Sequence, residues 1–373
     1  MKTALITFHA PYNYGSVLQA YALQNALTKL GYENEIINYR FQGQKDAYRL
    51  IRKTDNKADL VKDLLQFPVW PKKKRRADKF EKFIACNLNM TREFNSPEEL
   101  ASLANSYDVF ISGSDQIWNK HANELDRVDW EYMGPYLLSF TSKPKISYAS
   151  SVGGTTDEEI LDNMKGELDK FSRISARESS VAKRLSGLLG TDVENVCDPT
   201  LLLTKKDYVK RFDLNERKGD YIFYYSLAGI NTVKRHLEWI RKEYGNDKMI
   251  IVNTPYAFIP GNKKQKNVVA LDPGDFLQYI LSADVVVTDS YHGTLFSVNF
   301  GKDFVCLCNK SAASDYRKSD ILGRLGLTKH MVDDLSRPRS VKDFVNKGDY
   351  YGKLNAIRKE SYEYLENSLD ELG

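Results

Sequence analysis

Ala283-Asp-Val-Val-Val-Thr-Asp-Ser-Tyr-His-Gly-Thr-Leu-Phe-Ser-Val-Asn-Phe-Gly301 is the stretch whose reading decides the fold. Val285 to Val287 form a short β-branched run, suited to a parallel strand buried on both faces. A polar turn, Thr288-Asp-Ser-Tyr-His-Gly293, follows. Thr294 to Phe300 are apolar or small and read as the first turns of a helix that Gly301 ends. Phe304-Val-Cys-Leu307 reads as the next strand. Strand, tight polar turn and helix N-terminus put backbone N–H groups at the C-terminal edge of a sheet, where open α/β sheets bind anionic ligands. His292 sits in that turn, able to donate to an anion or move a proton near neutral pH. The alternative is a histidine that only caps the helix.

Outward from this stretch, strands and helices alternate through the rest of the chain. Toward the N-terminus, Thr3 to Phe8 read as a strand and Glu35 to Tyr39 as a second. Between them lies a helix with Val17, Leu18, Tyr21, Leu27 and Leu30 on one face. Ser16 and Gln19 have the spacing of a capping box. The loop before that helix, His9 to Gly15, is aromatic and contains glycine but lacks G-x-G-x-x-G, so no dinucleotide cofactor is expected. Asp108 to Ile111 read as a strand delivering Ser112-Gly-Ser-Asp-Gln-Ile-Trp-Asn119. There Ser114, Asp115, Gln116 and Asn119 offer polar groups, and Trp118 a stacking plane of the kind a sugar site uses. Lys145 to Gly154 repeat the strand-to-polar-turn pattern, and Asp157 to Phe171 read as one helix. A short strand ends in Arg177, which can fork onto a carboxylate or phosphate; the alternative is an ion pair with Glu178 or Glu194.

Asp198-Pro199 breaks regular structure, and a fresh series begins at Tyr221 to Leu227. It continues through a helix from Thr232 to Tyr244, strands at Met249 to Asn253 and Val268 to Leu271, and a helix from Asp275 to Leu281. The expected architecture is α/β: two Rossmann-like domains facing across a cleft. The first spans 1–205, the second 206–350, and a terminal helix in 351–373 packs back on the first.

Composition narrows the function. With 373 residues, 42% hydrophobic and 28% charged, the chain is long enough for two ordinary domains of a soluble protein. A net charge of +4 suits an anionic small molecule and does not demand nucleic acid. No apolar run approaches the ~20 residues of a membrane span. Met1-Lys2 leads directly into a strand, so no signal peptide is expected and a cytoplasmic location is. Residues 58–76 join an amphipathic stretch to Pro71-Lys-Lys-Lys-Arg-Arg76, which offers contact to the inner membrane face; the alternative is a solvated helix and loop. Cys86, Cys197, Cys306 and Cys308 read as reduced. Cys306 and Cys308, two apart on a strand, are taken to point to opposite faces, and no metal site is expected.

Tyr12-Asn-Tyr-Gly-Ser-Val-Leu-Gln-Ala-Tyr21, Ser112 to Asn119, Ser175-Ala-Arg-Glu178 with Asp198-Pro-Thr200, and Thr288 to Gly293 together resemble the polysaccharide pyruvyl transferase family, nearly along the whole chain. Tyr316-Arg317, with Ile321-Leu322 and Leu325-Gly-Leu327, is similar to the family's final arginine-plus-helix segment. The resemblance implies a fold like that of GT-B glycosyltransferases. It also implies transfer of a pyruvyl group from phosphoenolpyruvate, as co-substrate without a further cofactor, to two hydroxyls of a saccharide or lipid-linked oligosaccharide. Donor binding then falls to Arg177, Ser290, Gly293 and Thr294. Some branches read Arg-x-His where this chain has Ser290-Tyr-His292, and Lys310 or Arg317 is near enough in sequence to supply the charge. His292 is the candidate acid, Asp115 or Asp289 the candidate base. Tyr14, Gly15, Ser114, Gln116, Trp118 and Asn119 are the acceptor candidates. Two alternatives keep the architecture: a glycosyltransferase using a nucleotide sugar, and a non-catalytic saccharide-binding relative.

Overall fold

Strands covered on both faces must be apolar almost throughout, and this rule locates the centres of two sheets. The protein is seen in a computed structural model that describes residues 1–47, 70–126, 128–245, 248–253, 265–308, 313–335 and 350–373. It divides into two units. The first comprises Met1–Asp55, Ile84–Leu203 and Leu354–Gly373, the second Asn56–Phe83 and Thr204–Lys353.

In the first unit, β1 (Lys2–Ile6), β2 (Glu33–Tyr39), β3 (Met90–Phe94), β4 (Val109–Ser112) and β5 (Lys145–Ser147) form a parallel sheet ordered β3-β2-β1-β4-β5. The order reverses between β1 and β4, so their C-terminal ends frame the crevice where such sheets bind ligands. Helix α1 (Tyr14–Lys29) starts beside that crevice, and α2 (Gln42–Ala47) follows β2. The paired β6 (Ile174–Ala176) and β7 (Val193–Asn195) join β5 through single bridges, Ile146 to Arg173 and Ser150 to Ala176. The core packs Ile6, Phe8, Ile37, Phe110, Trp118 and Tyr136.

Three local expectations change here. Asn13, not Ser16, caps α1, its side chain accepting from the Gly15 N–H. Gln19 instead donates to Thr7 Oγ1, Phe8 O and Ser16 O, so the capping box does not form. The helix expected over 157–171 is two pieces, α4 (Asp157–Asn163) and α5 (Lys165–Leu168), broken at Met164. The basic run lies inside α3 (Trp70–Asn87), not in a loop, while 58–69 are outside the described residues.

The second unit carries α7 (Lys205–Phe212) after α6 (Ser179–Leu189) of the first. Its strands are β8 (Ile222–Ser226), β9 (Met249–Asn253), β10 (Gln265–Asn267), β11 (Val285–Thr288), β12 (Asp303–Leu307) and β13 (Met331–Val332). They form a parallel sheet ordered β10-β9-β8-β11-β12-β13. The order here reverses between β8 and β11. Helices α8 (Ile230–Tyr244), α9 (Pro273–Ser282), α10 (Tyr291–Asn299) and α11 (Ala313–Leu325) alternate with the strands. The strand expected at Val268–Leu271 ends instead at Asn267. Beyond Phe304–Leu307 the two-residue β13 extends the sheet.

Helix α12 (Tyr350–Asp370) has its last three quarters in the first unit. There Ser361 Oγ accepts from the Cys197 N–H at 2.9 Å, Tyr364 Oη donates to Ser147 O at 2.7 Å, and Arg358 Nε donates to Leu201 O at 2.6 Å. These bonds tie the helix to backbone groups at the end of β5, just past β7 and in the turn at Leu201.

Candidate active site

In the second unit the turn after β11 is shaped by its own side chains. Ser290 caps α10, accepting from the Gly293 N–H, and Thr294 Oγ1 donates back to Ser290 O at 3.0 Å. Gly293 is required by space: a Cβ there would stand 2.7 Å from Thr288 Oγ1. The helix can therefore begin directly against β11 and β8. His292, the second residue of α10, is buried to 7% exposure with its ring edge-on to Tyr291 at 5.2 Å. The Arg317 guanidinium lies over the Tyr291 ring, 5.3 Å from its centroid. The fold thus places a cation, the arginine the sequence nominated, on the tyrosine that precedes the histidine. Lys310 lies outside the described residues.

Asp289 does not present a free carboxylate. Its Oδ1 accepts from the Leu227 N–H at 2.8 Å and its Oδ2 from Ser226 Oγ. It ties the end of β8 to the end of β11, a positioning role in place of the expected base. Lys318 was not singled out from sequence. Buried to 2%, it donates through Nζ to Asp289 O at 3.1 Å and Leu307 O at 2.9 Å, and pairs with Asp315 at 2.7 Å. One ammonium thus braces the histidine turn against the end of β12. A lysine between Arg317 and Ser319 gives no sequence signal of this; only its i,i+3 spacing from Asp315 hints at a pair.

In the first unit Asp115 stands at the end of the β4 turn with φ +77°, a conformation few non-glycine residues adopt. Strain of this kind collects at functional positions. Its Oδ2 accepts from Ser16 Oγ at 2.7 Å and its Oδ1 from the Gln116 N–H at 2.9 Å. Ser16, expected only as a cap, is therefore a partner of the candidate base. Gln116 is half-buried beside it.

Arg177 is brought to the same cluster but does not reach outward. Its side chain is 1% exposed; Nη1 donates to Asp198 Oδ2 at 2.9 Å, Nε to Glu178 Oε1 at 3.1 Å, and Asp115 is 3.9 Å away. One guanidinium faces three carboxyl groups, which leaves no surplus positive charge for an anionic donor. The expectation that Arg177 forks onto the donor is corrected: it holds Asp115 and Asp198 in place. Glu194, the other partner considered, pairs with Arg173 instead.

Several acceptor candidates prove structural. Trp118 is fully buried, its Nε1 donating to Tyr136 O at 3.1 Å and its ring edge-on to Phe171. It is core, not a stacking platform. Tyr14 and Ser114 are fully buried too. Asn119 Oδ1 accepts from the His121 and Gly154 N–H groups, so it closes a loop. Gly15 gives its N–H to Asn13. Burial of the indole follows from its position one turn past a buried strand, where its area is worth more in the core than against solvent.

Cys306 and Cys308 also differ from expectation. Alternate residues of a strand share a face, and their sulfurs are 3.7 Å apart. No cluster of three or more metal-ligating side chains occurs among the described residues. Nor is any described helix long and apolar enough to cross a membrane.

Two parallel sheets, each reversing its strand order beside a polar turn and a helix N-terminus, define a GT-B-like α/β protein. Solved structures agree in fold. UGT89C1 from Arabidopsis thaliana complexed with quercetin is 9% identical, with 100% of this chain and 98% of that one covered and a TM-score of 0.53. UDP-GlcNAc 2-epimerase from Methanocaldococcus jannaschii, in complex with UDP-GlcNAc and UDP, is 14% identical, with 97% and 100% covered and a TM-score of 0.50. The Neisseria meningitidis UDP-GlcNAc 2-epimerase bound to UDP-GlcNAc is 10% identical, with 100% of both covered and a TM-score of 0.50. No curated protein matches the chain. The family model for polysaccharide pyruvyl transferase matches residues 13–311, and the chain belongs to that family.

Proposed function

We propose that the protein transfers the pyruvyl group of phosphoenolpyruvate to two hydroxyls of a saccharide, forming a cyclic ketal on a surface-polysaccharide or cell-wall precursor at the cytoplasmic side. The observation that carries this reading is His292 on the first turn of α10, beside the Tyr291–Arg317 stack, in a chain of this family. A donor with about three negative charges needs cations and helix N-terminal N–H groups; Arg317 of α11 is the candidate for the first and the start of α10 for the second.

His292 as imidazolium protonates the methylene carbon of the donor, and the cation left on the adjacent carbon is attacked by the first sugar hydroxyl. That hydroxyl gives its proton to Asp115, with Ser16 as relay. Phosphate then leaves, and the second hydroxyl closes the ring, giving its proton to the now neutral His292. Ser290, Gly293, Thr294 and Arg317 are assigned to the donor, Gln116 to the acceptor.

The test is phosphate release from phosphoenolpyruvate in the presence of a candidate acceptor glycan. His292→Gln and Asp115→Asn are each expected to lower turnover at least about 100-fold, the size of a lost acid–base step, with unchanged circular dichroism. Wild-type turnover in His292→Gln would remove the imidazole from the reaction. Release of uridine diphosphate from a nucleotide sugar, with no phosphate released from phosphoenolpyruvate, would replace the donor.

A further inference from the structure

Cys306 ends on the buried face of β12, and Cys308 lies one residue beyond the strand, partly exposed. Cys308 still bonds to the ladder through its N–H to Val332 O at 2.8 Å, which keeps both side chains on one face with the sulfurs 3.7 Å apart. Thr294 Oγ1, in the first turn of α10, lies 3.5 Å from Cys306 Sγ, in contact with it. Lys318 reaches Leu307 O, between the two cysteines, and Asp289 O, in the turn before His292. The sulfur pair and the histidine turn therefore share two braces, Thr294 and Lys318.

The electrostatics suit thiolate chemistry. The hydrogen bond from Cys308 and the nearby Lys318 ammonium pull the Cys306 thiol below its usual value, against burial. Cys308, which gives that hydrogen bond, is pushed up, and burial adds to it. The pair therefore ionises at Cys306, and the proton of the S–H···S contact stays on Cys308.

We propose that Cys306 and Cys308 form a vicinal dithiol that a small disulfide closes reversibly, and that closure loosens the turn carrying His292. The partly exposed Cys308 passes its proton to the Cys306 thiolate as its sulfur attacks the small disulfide R–S–S–R and expels R–S⁻. Cys306 then gives that proton to the released R–S⁻, attacks the Cys308 sulfur and expels the second R–S⁻. One S–S bond breaks in the oxidant and one forms in the protein. The two thiol protons end on the released thiols. Closure draws the sulfurs from 3.7 Å to about 2 Å, which pulls Cys306 away from Thr294 and displaces Leu307 O from Lys318. The effect on turnover rests on the proposed function of the turn; formation of the bond does not.

The experiment treats the full chain, with the exposed Cys86 changed to serine, with oxidised glutathione, then alkylates under denaturing conditions and maps the peptides by mass. The peptide holding both cysteines is expected to lose two hydrogens and resist alkylation until dithiothreitol is added. Full alkylation of both sulfurs, or a stable glutathione adduct on Cys308, overturns the proposal. In parallel, hydrogen exchange at residues 288–294 is expected to quicken on oxidation, and phosphate release to fall about tenfold or more, as for a misplaced catalytic group. Cys308→Ser should abolish both responses. A closed disulfide with unchanged exchange at 288–294 overturns the coupling. Absent phosphate release in the reduced protein, with the disulfide and exchange results intact, counts against the proposed function and leaves this inference standing.

Discussion

A methyl group on Gly293 would meet Thr288 Oγ1 at 2.7 Å and a Tyr225 ring carbon at 3.1 Å. Both belong to buried strand ends that have little freedom to retreat. Gly293→Ala is therefore expected to cost about 1–3 kcal/mol, read as a lowered urea midpoint with an unchanged slope. A change within about 0.5 kcal/mol would show that the helix start can shift without penalty. At this scale the candidate site was only partly legible. His292 and Asp115 were nominated by residue type and by place after a strand, Arg317 by the family resemblance. Trp118 and Arg177 were nominated by the same logic, yet both turn inward. An indole and a guanidinium each carry a polar tip and a large apolar body, and sequence does not say which the fold will use. Tyr136 O and the Asp198–Glu178 pair decide it.

Among the elements, α10 and α11 show how a site is held. α10 has no acidic residue in its first turn, so its N-terminal dipole is not neutralised by its own chain and remains available to an anion. α11 supplies Arg317 to the Tyr291 ring and Lys318 to the backbone beneath. Lys318→Met keeps the apolar stem but leaves Asp315 and two carbonyls without their donor. We expect a loss of about 2–4 kcal/mol from the unpaired groups, and a lower kcat with little change in KM, since the turn and not the ligand is affected. Wild-type stability in this variant would mean that water replaces the ammonium at no cost. Element types were legible wherever a buried parallel strand met a helix of strong period. The breaks were not: the helix over 157–171 is interrupted at Met164 and not at Gly166, the one breaker in that stretch, and β10 stops at Asn267 although Val268 to Leu271 are apolar.

For the whole molecule, two buried histidines make stability depend on pH. His236 and His330, both in the second, titrate below their ordinary 6.5, with burial the leading cause in each. His236 Nδ1 pairs with Tyr224 Oη, and His330 stacks on Phe304 while its Nδ1–H donates to Phe304 O. The folded state resists protonation, so below pH about 6.5 the unfolded chain binds more protons. Stability must then fall with falling pH, by up to about 1.4 kcal/mol per pH unit for each histidine. Urea unfolding at pH 7.5 and 5.5 is expected to show this loss, and His236→Asn to remove up to one proton's share of the slope. An identical slope in that variant would exclude His236 as a source. The sequence alone determined the alternation of strands and helices, the two-sheet α/β class, the family and the turn that carries His292. Those depend on local period and on short motifs, which neighbouring residues fully specify. The tertiary structure decided which polar side chains stay available. That outcome depends on long-range partners, such as Ser16 for Asp115, Asp198 for Arg177 and Ser226 for Asp289. Burial makes each such group bond to whatever the fold brings within reach.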